Sequence, residues 1–113
     1  VILFQFNESV SKYGVLRGMH FQKKPYEQSK LVRVVYGEIQ DVAIDLRPSS
    51  KTYKKYFSII LNDKNKKQLF IPKGFGHGFL TLSPIAIVAY KVDQYFNKSY
   101  EYCFFSNCSA HKG

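Results

Sequence analysis

The sequence predicts an all-β fold, a sandwich, barrel or jelly roll of short strands, on three observations. Aromatic residues make up 17% of the 113 residues, nine Tyr and ten Phe with no Trp, and flat rings pack well on a pleated surface. Strand-length apolar runs recur between Gly, Pro, Asn and Ser, without a helical period or an internal repeat. The apolar fraction of 45% lies in the globular range and, at this length, suits one domain over residues 1–113 with one core.

The elements follow in order. Val1 to Phe6 is apolar, and Gly14 to Phe21 resumes after a Ser/Lys/Gly turn. Lys30–Tyr36 and Ile39–Leu46 flank Gly37-Glu38, which predicts a hairpin. In the second run Val42, Ile44 and Leu46 alternate with Asp41, Ala43 and Asp45, which predicts a half-buried strand with the apolar three inward. Arg47-Pro48-Ser49-Ser50 ends that run, Tyr53–Leu61 follows, and Asn62-Asp63 turns the chain. Gln68–Ile71 is a short strand stopped by Pro72, and Phe79–Leu82 and Ile85–Val92 flank Ser83-Pro84.

The formal charge of +9 suits an anionic partner such as nucleic acid, acidic lipid or a phosphorylated small molecule. The lysines are spread along the chain, as in the exposed turn Asp63-Lys64-Asn65-Lys66-Lys67, and not clustered with Tyr and Phe as a single-stranded nucleic-acid platform requires. No run approaches the roughly 20 apolar residues of a membrane span, and no signal peptide is visible. Cys103 and Cys108 match no zinc or redox spacing and read as reduced thiols of a cytoplasmic protein. The chain starts at Val1, as a fragment would.

Four side chains carry candidate chemistry. His20 follows Arg17-Gly18-Met19, and His77 lies among three glycines in Pro72-Lys-Gly-Phe-Gly-His-Gly-Phe79. Lys30 shares a strand face with Val32, Val34 and Tyr36, either at a wet end or aimed into a pocket. Tyr90 shares one with Ala86, Val88 and Val92. Taken alone, His20, His77 and Tyr90 read first as core residues with a satisfied polar group, and Lys30 as the wet end of its strand. Together they supply a base, a weak acid and a cation. Imidazole accepts a proton near neutral pH. A phenol, ordinarily titrating near pH 10, donates one. An ammonium stabilises an enolate oxygen. Those parts can take a proton from beside a ketone and return one on the other face.

The same segments carry a family pattern. Gly14-Val-Leu-Arg-Gly-Met-His-Phe-Gln22, Lys30 to Arg47, Gln68 to Phe79 and Tyr90-Lys-Val-Asp-Gln-Tyr-Phe-Asn97 resemble, in order and spacing over roughly residues 4 to 101, the dTDP-4-dehydrorhamnose 3,5-epimerases. The resemblance implies a cupin-like jelly roll that needs no metal or redox cofactor. It implies His20 as the base, Tyr90 as the acid on the opposite sugar face, and Lys30 at the C4 oxygen. It implies substrate contacts from Gln5, Asn7, Arg17, His77 and Glu101. The implied substrate is a dTDP-linked 4-keto-6-deoxyhexose, inverted at C3 and C5 on the way to the L-rhamnose of cell-surface polysaccharides such as lipopolysaccharide. The implied assembly is a homodimer.

Three points qualify the expectation. Arg17 and His20, three apart, point to opposite faces of an ideal strand, so either Gly18 marks a bulge or the two serve different pockets. The family's chains run longer at both ends, and the tail from about residue 102 diverges, with Ser106 and Cys108 where tryptophan and aspartate are usual. A different aspartate, further along in the family, orients the base, and nothing here occupies its position. Losing such a carboxylate costs orders of magnitude in rate, so the 113 residues alone are expected to be weakly active or inactive. Two other readings stand beside this one. Pro72-x-Gly74-x-x-His77 is half of a metal-cupin signature, but the His-x-His half is missing after His20. Relatives acting at one centre, or on GDP-linked sugars, share the same parts.

Overall fold

The computed structural model describes residue 3, residues 5–95, residue 99 and residues 101–103. Its strands are β1 (Gln5–Lys12), β2 (Leu16–Gln22), β3 (Lys30–Tyr36), β4 (Glu38–Asp45), β5 (Tyr56–Asn62), β6 (Gln68–Ile71), β7 (Phe75–Thr81), β8 (Ile85–Val92) and β9 (Glu101–Cys103). One sheet runs β1-β8-β3-β6 and the other β5-β4-β7-β2-β9. All pairs are antiparallel, and β1 pairs with β8, β2 with β7, β3 with β6 and β4 with β5. That nesting is a long hairpin rolled over itself, a jelly roll. Among the described residues no helix is long and apolar enough to cross a membrane.

The core lies between the sheets. Val32 and Val34 of β3 and Ala86 and Val88 of β8 meet Ile39, Leu61 and Phe79 of the other sheet, and Tyr90 packs against this cluster. The inward row predicted for Lys30, Val32 and Val34 is therefore correct, as is that of Tyr90 with Ala86, Val88 and Val92. Tyr36 leaves its row, because the β3–β8 register shifts between Val34 and Tyr36.

Two sequence expectations fail here. Gly37 does not turn a hairpin, since β3 pairs with β6 and β8 while β4 pairs with β5 and β7. It sits at φ +87 on the crossover from one sheet to the other, hydrogen-bonded by its N–H to Asp63 Oδ2 at 3.0 Å. The faces of β4 are also reversed. Ile39, Asp41, Ala43 and Asp45 are buried, while Gln40, Val42 and Ile44 are half-buried on the outer side. A carboxylate tolerates burial where partners satisfy it, and both inward aspartates have them.

Candidate active site

The site is assembled around a break in β2. Arg17 pairs with Phe79, but His20 pairs with His77, so the register shifts between the two. A bulge puts one extra residue on β2 and brings Arg17 and His20 onto the same inward face, about 7 Å apart along β7. Gly18 makes this possible. It takes φ +111, and a Cβ there would meet the Gly78 Cα at 2.5 Å and the His77 carbonyl oxygen at 2.6 Å. Of the two alternatives left open by the sequence, the bulge is the one found.

His77 and His20 thus sit side by side on the inner face of the second sheet. His77 is almost fully buried and its Nε2–H donates to Asp41 Oδ1 at 2.6 Å. Its ring lies 6.3 Å from that of Phe79, tilted by 41°. Asp41 is completely buried, and hydropathy alone, which favours Val42 and Ile44 inward, does not mark it as a site residue. A carboxylate does meet an imidazole in the interior. It belongs to β4, and the histidine it holds is His77.

The first sheet faces this pair with a second set. Its inward rungs are Gln5, Val92, Lys30 and Ile71, then Asn7, Tyr90, Val32 and Leu69. Lys30 lies with its Nζ 5.6 Å from the centroid of the Tyr90 ring, within cation–π range. It is therefore an inward lysine at the strand end, beside the phenol. Gln5 Oε1 is buried and has no hydrogen-bond partner among the described residues. Arg17 ties the two sheets together at the β1 edge, donating from Nε to Ser11 Oγ at 2.8 Å and from NH2 to the Val10 carbonyl at 3.2 Å. His20, His77 and Arg17 thus come from one sheet and Tyr90, Lys30, Gln5 and Asn7 from the other, all directed between the layers.

Hydrogen-bonded loops lie at the Lys30 end. Ser29 N–H donates to Asp93 Oδ1 at 2.7 Å, and Gln22 Nε2 to the Tyr26 and Tyr95 carbonyls. The β4–β5 loop is gathered by Asp45, whose carboxylate accepts from Arg47 Nε at 2.9 Å, Arg47 NH2 at 3.0 Å, Ser50 and Thr52. The Arg47 guanidinium, then the two hydroxyls, hold the Asp45 carboxyl far below the usual carboxylate range against the opposing effect of burial. Arg47 in turn lies over Phe75, 4.9 Å from its centroid, at the start of β7.

A surface cavity of about 410 Å³ occurs at the other end, lined by Tyr36, Glu38, Asn62, Asp63, Ser83 and Ile85 among others. Its polar groups are engaged with one another, Asn62 Nδ2 with Glu38 Oε2 at 2.9 Å and Ser83 Oγ with the Glu38 N–H at 2.9 Å. The chemistry-bearing side chains lie between the sheets, not there. Among the described residues no three His, Cys, Asp or Glu side chains gather as a metal set.

The profile of the dTDP-4-dehydrorhamnose 3,5-epimerase family matches residues 2–112. The chain belongs to this family. A family member from Methanothermobacter thermautotrophicus is 53% identical over 98 residues, 86% of this chain and 52% of that one. Among solved members, a dTDP-6-deoxy-D-glucose-3,5-epimerase from Legionella pneumophila in complex with dTDP-4-keto-L-rhamnose superposes with TM-score 0.89 at 44% identity, covering 93% of this chain and 55% of that one. A 3'-monoepimerase from Streptomyces bikiniensis, solved with dTDP as a double variant, one histidine to asparagine and one tyrosine to phenylalanine, reaches TM-score 0.86 at 25% identity over 92% of this chain and 52% of that one. The chain spans about half the length of the relatives it matches. The cupin-like jelly roll of the family is thus the fold of this chain.

Of the family-implied contacts, Glu101 lies on β9 with its backbone opposite Gln22, and its side chain falls outside the described residues. Of Cys103 only the backbone is described, opposite His20. Ser106 and Cys108 lie outside the described residues.

Proposed function

We propose that this protein epimerises a dTDP-linked 4-keto-6-deoxyhexose at C3 and C5, without a metal or redox cofactor, as a step in dTDP-L-rhamnose formation. The observation that carries the reading is the inward placement of His20 on one sheet and of Tyr90, with Lys30 beside it, on the facing sheet. Supporting it, the two positions replaced in the Streptomyces bikiniensis monoepimerase are a histidine and a tyrosine 70 residues apart, the separation of His20 and Tyr90.

The chemistry follows from the parts. C3 and C5 both flank the C4 ketone, so the hydrogen on either is acidified by it. His20 takes that proton, and the C–H electron pair moves to form the C=C bond of an enolate with its charge on the C4 oxygen. The Lys30 ammonium stabilises this oxyanion. When the C=O bond re-forms, the carbon takes a proton from the Tyr90 hydroxyl on the opposite ring face, and the centre is inverted. The phenolate recovers a proton from solvent and the imidazolium returns one, so nothing is oxidised or reduced. Gln5, Asn7, Arg17, His77 and Glu101 hold the nucleotide-sugar. Arg17 supplies a fixed cation suited to the diphosphate.

The protein acts as a cytoplasmic homodimer in this reading. Outward apolar side chains, Phe6, Leu31 and Phe70 in one rung of the first sheet and Tyr56 on β5, favour a second copy as a cover. Incubation with dTDP-4-keto-6-deoxyglucose in D2O tests the function. Deuterium at both C3 and C5 is expected. Label at one carbon assigns a single-centre epimerase, and no label together with no binding of dTDP by the folded chain overturns the reading.

A further inference from the structure

We propose that Asp41 is a positioning residue, which fixes the imidazole of His77 and acts on substrate binding only through it. The proposal rests on the reading of the inner face as a nucleotide-sugar site.

The argument begins with cost. Burying a carboxylate is expensive, and buried ion pairs exchanged for apolar residues are often neutral or more stable. The neighbours of Asp41 on its own inward row are Ile39 and Ala43, so an apolar residue would suit this position. Stability therefore does not account for the aspartate.

The contrast with Asp45, four residues along the same row, is instructive. Asp45 is saturated by Arg47, Ser50 and Thr52 and ties down a loop. Asp41 ties down no loop. Its Oδ1 accepts from His77 Nε2–H at 2.6 Å, and its Oδ2 is buried with no hydrogen-bond partner among the described residues. Asp41 is dedicated to one ring.

A free imidazole offers two tautomers and two flipped orientations. A carboxylate only accepts, so it selects the ring with hydrogen on Nε2, and the 2.6 Å contact turns that nitrogen toward β4. Phe79 limits the ring's rotation from the next inward position on β7. Nδ1, across the ring from the pinned nitrogen, becomes the edge left for a ligand. His77 is the cross-strand partner of His20, so a ring turned the wrong way would present a different edge beside the base. This residue was hidden in the sequence because Asp41 and His77 are 36 positions apart.

Two measurements decide the matter. Long-range 1H–15N correlation on the chain reads which ring nitrogen of His77 is protonated. Hydrogen on Nε2 is expected, and a ring protonated on Nδ1 alone overturns the proposal without any variant being made. In kinetics, Asp41→Asn supplies an amide that accepts more weakly and can donate instead. It is expected to raise KM for the dTDP-sugar about tenfold or more with a smaller change in kcat, and to add nothing in a His77→Gln background. The same loss in both backgrounds would show that Asp41 acts by another route and would overturn the idea. A parent chain that binds no dTDP and exchanges no hydrogen would refute the nucleotide-sugar reading instead. The ring-nitrogen pattern would still report on Asp41.

Discussion

Alanine at Gly18 should be far more damaging than alanine at another left-handed glycine, and the size of the difference can be worked out. At φ +111 an L side chain is strained, at about 1–3 kcal/mol. The added Cβ also meets the Gly78 Cα at 2.5 Å and the His77 carbonyl oxygen at 2.6 Å. Both are backbone atoms of the paired strand and neither can rotate away. Relieving such overpacking costs a further 1–3 kcal/mol or so. The total is about 2–6 kcal/mol, which for a chain of this size lowers Tm by roughly 10–25 °C. Gly14 supplies the control. It takes φ +80 with nothing within 4 Å of its hypothetical Cβ, so Gly14→Ala carries the backbone term alone and should cost about 1–2 kcal/mol.

Thermal melts of the two variants, followed by the β-sheet circular dichroism band, separate the terms. A Gly18→Ala variant that melts within a few degrees of Gly14→Ala would refute the claim that the close β2–β7 approach holds the bulge. The functional consequence is sharper than the thermal one. A β2 that loses its extra residue slips by one position, and a one-residue slip sends a side chain to the other face. Gly18→Ala protein that remains folded below its Tm should therefore bind dTDP at least about tenfold more weakly, because Arg17 and His20 no longer share a surface.

Other outcomes follow from single side chains. Tyr90→Phe removes the proposed proton donor but not the proposed base, so it should still wash deuterium into substrate with retained configuration while inversion falls by about 10²–10⁴. Equal loss of exchange and inversion would contradict the two-residue scheme. Lys30→Met should lower exchange at both carbons by about 10²–10³ through the unstabilised oxyanion, measured by the same D2O experiment. Asp45→Asn should destabilise by about 3 kcal/mol at pH 7, as a buried, hydrogen-bonded charge is lost. Because the folded-state pKa of Asp45 is depressed, chiefly by Arg47, its contribution is full above the ordinary value near pH 4 and declines as pH falls. The melting gap between parent and D45N should narrow from pH 6 to pH 3, and a constant gap would refute the assignment.

The sequence was legible where local chemistry decides structure. β3, β6 and β8 match the predicted runs residue for residue, because branched and aromatic residues end there at Gly, Pro or a polar turn. β7 begins four residues earlier than predicted, at Phe75. Three glycines around His77 suit a backbone that bends sharply or lies close to another segment, and of these Gly74 alone has positive φ. Gly78 stays extended and serves close packing, since a Cβ on it would lie 2.6 Å from the Arg17 carbonyl oxygen. Gly18 made the bulge visible only as an alternative, because a register shift is a property of two strands. β9 lay beyond the last run recognised, and β1 continues to Lys12 through Ser and Glu because only its inner side needs to be covered.

The reversed faces of β4 show why the rest stayed hidden. Both alternating sets contain apolar residues, and hydropathy favours turning Val42 and Ile44 inward. The structure turns Asp41 and Asp45 inward, and what reverses the choice in each case is a hydrogen-bond partner. For Asp45 the partners are two to seven residues away, close enough that Asp-x-Arg followed by Ser and Thr could have been recognised as a loop staple. For Asp41 the partner is His77 on another strand, and no local pattern announces it. The candidate site follows the same division. The residue types at positions 20, 30, 77 and 90 state the chemistry, whereas their convergence depends on strand pairings between residues 62 to 64 apart in sequence, as for Leu16 with Leu80 and Lys30 with Val92. A site built this way is only as well aligned as its sheet register, which is why the decisive residue for the geometry of the candidate site is a glycine with no chemistry of its own.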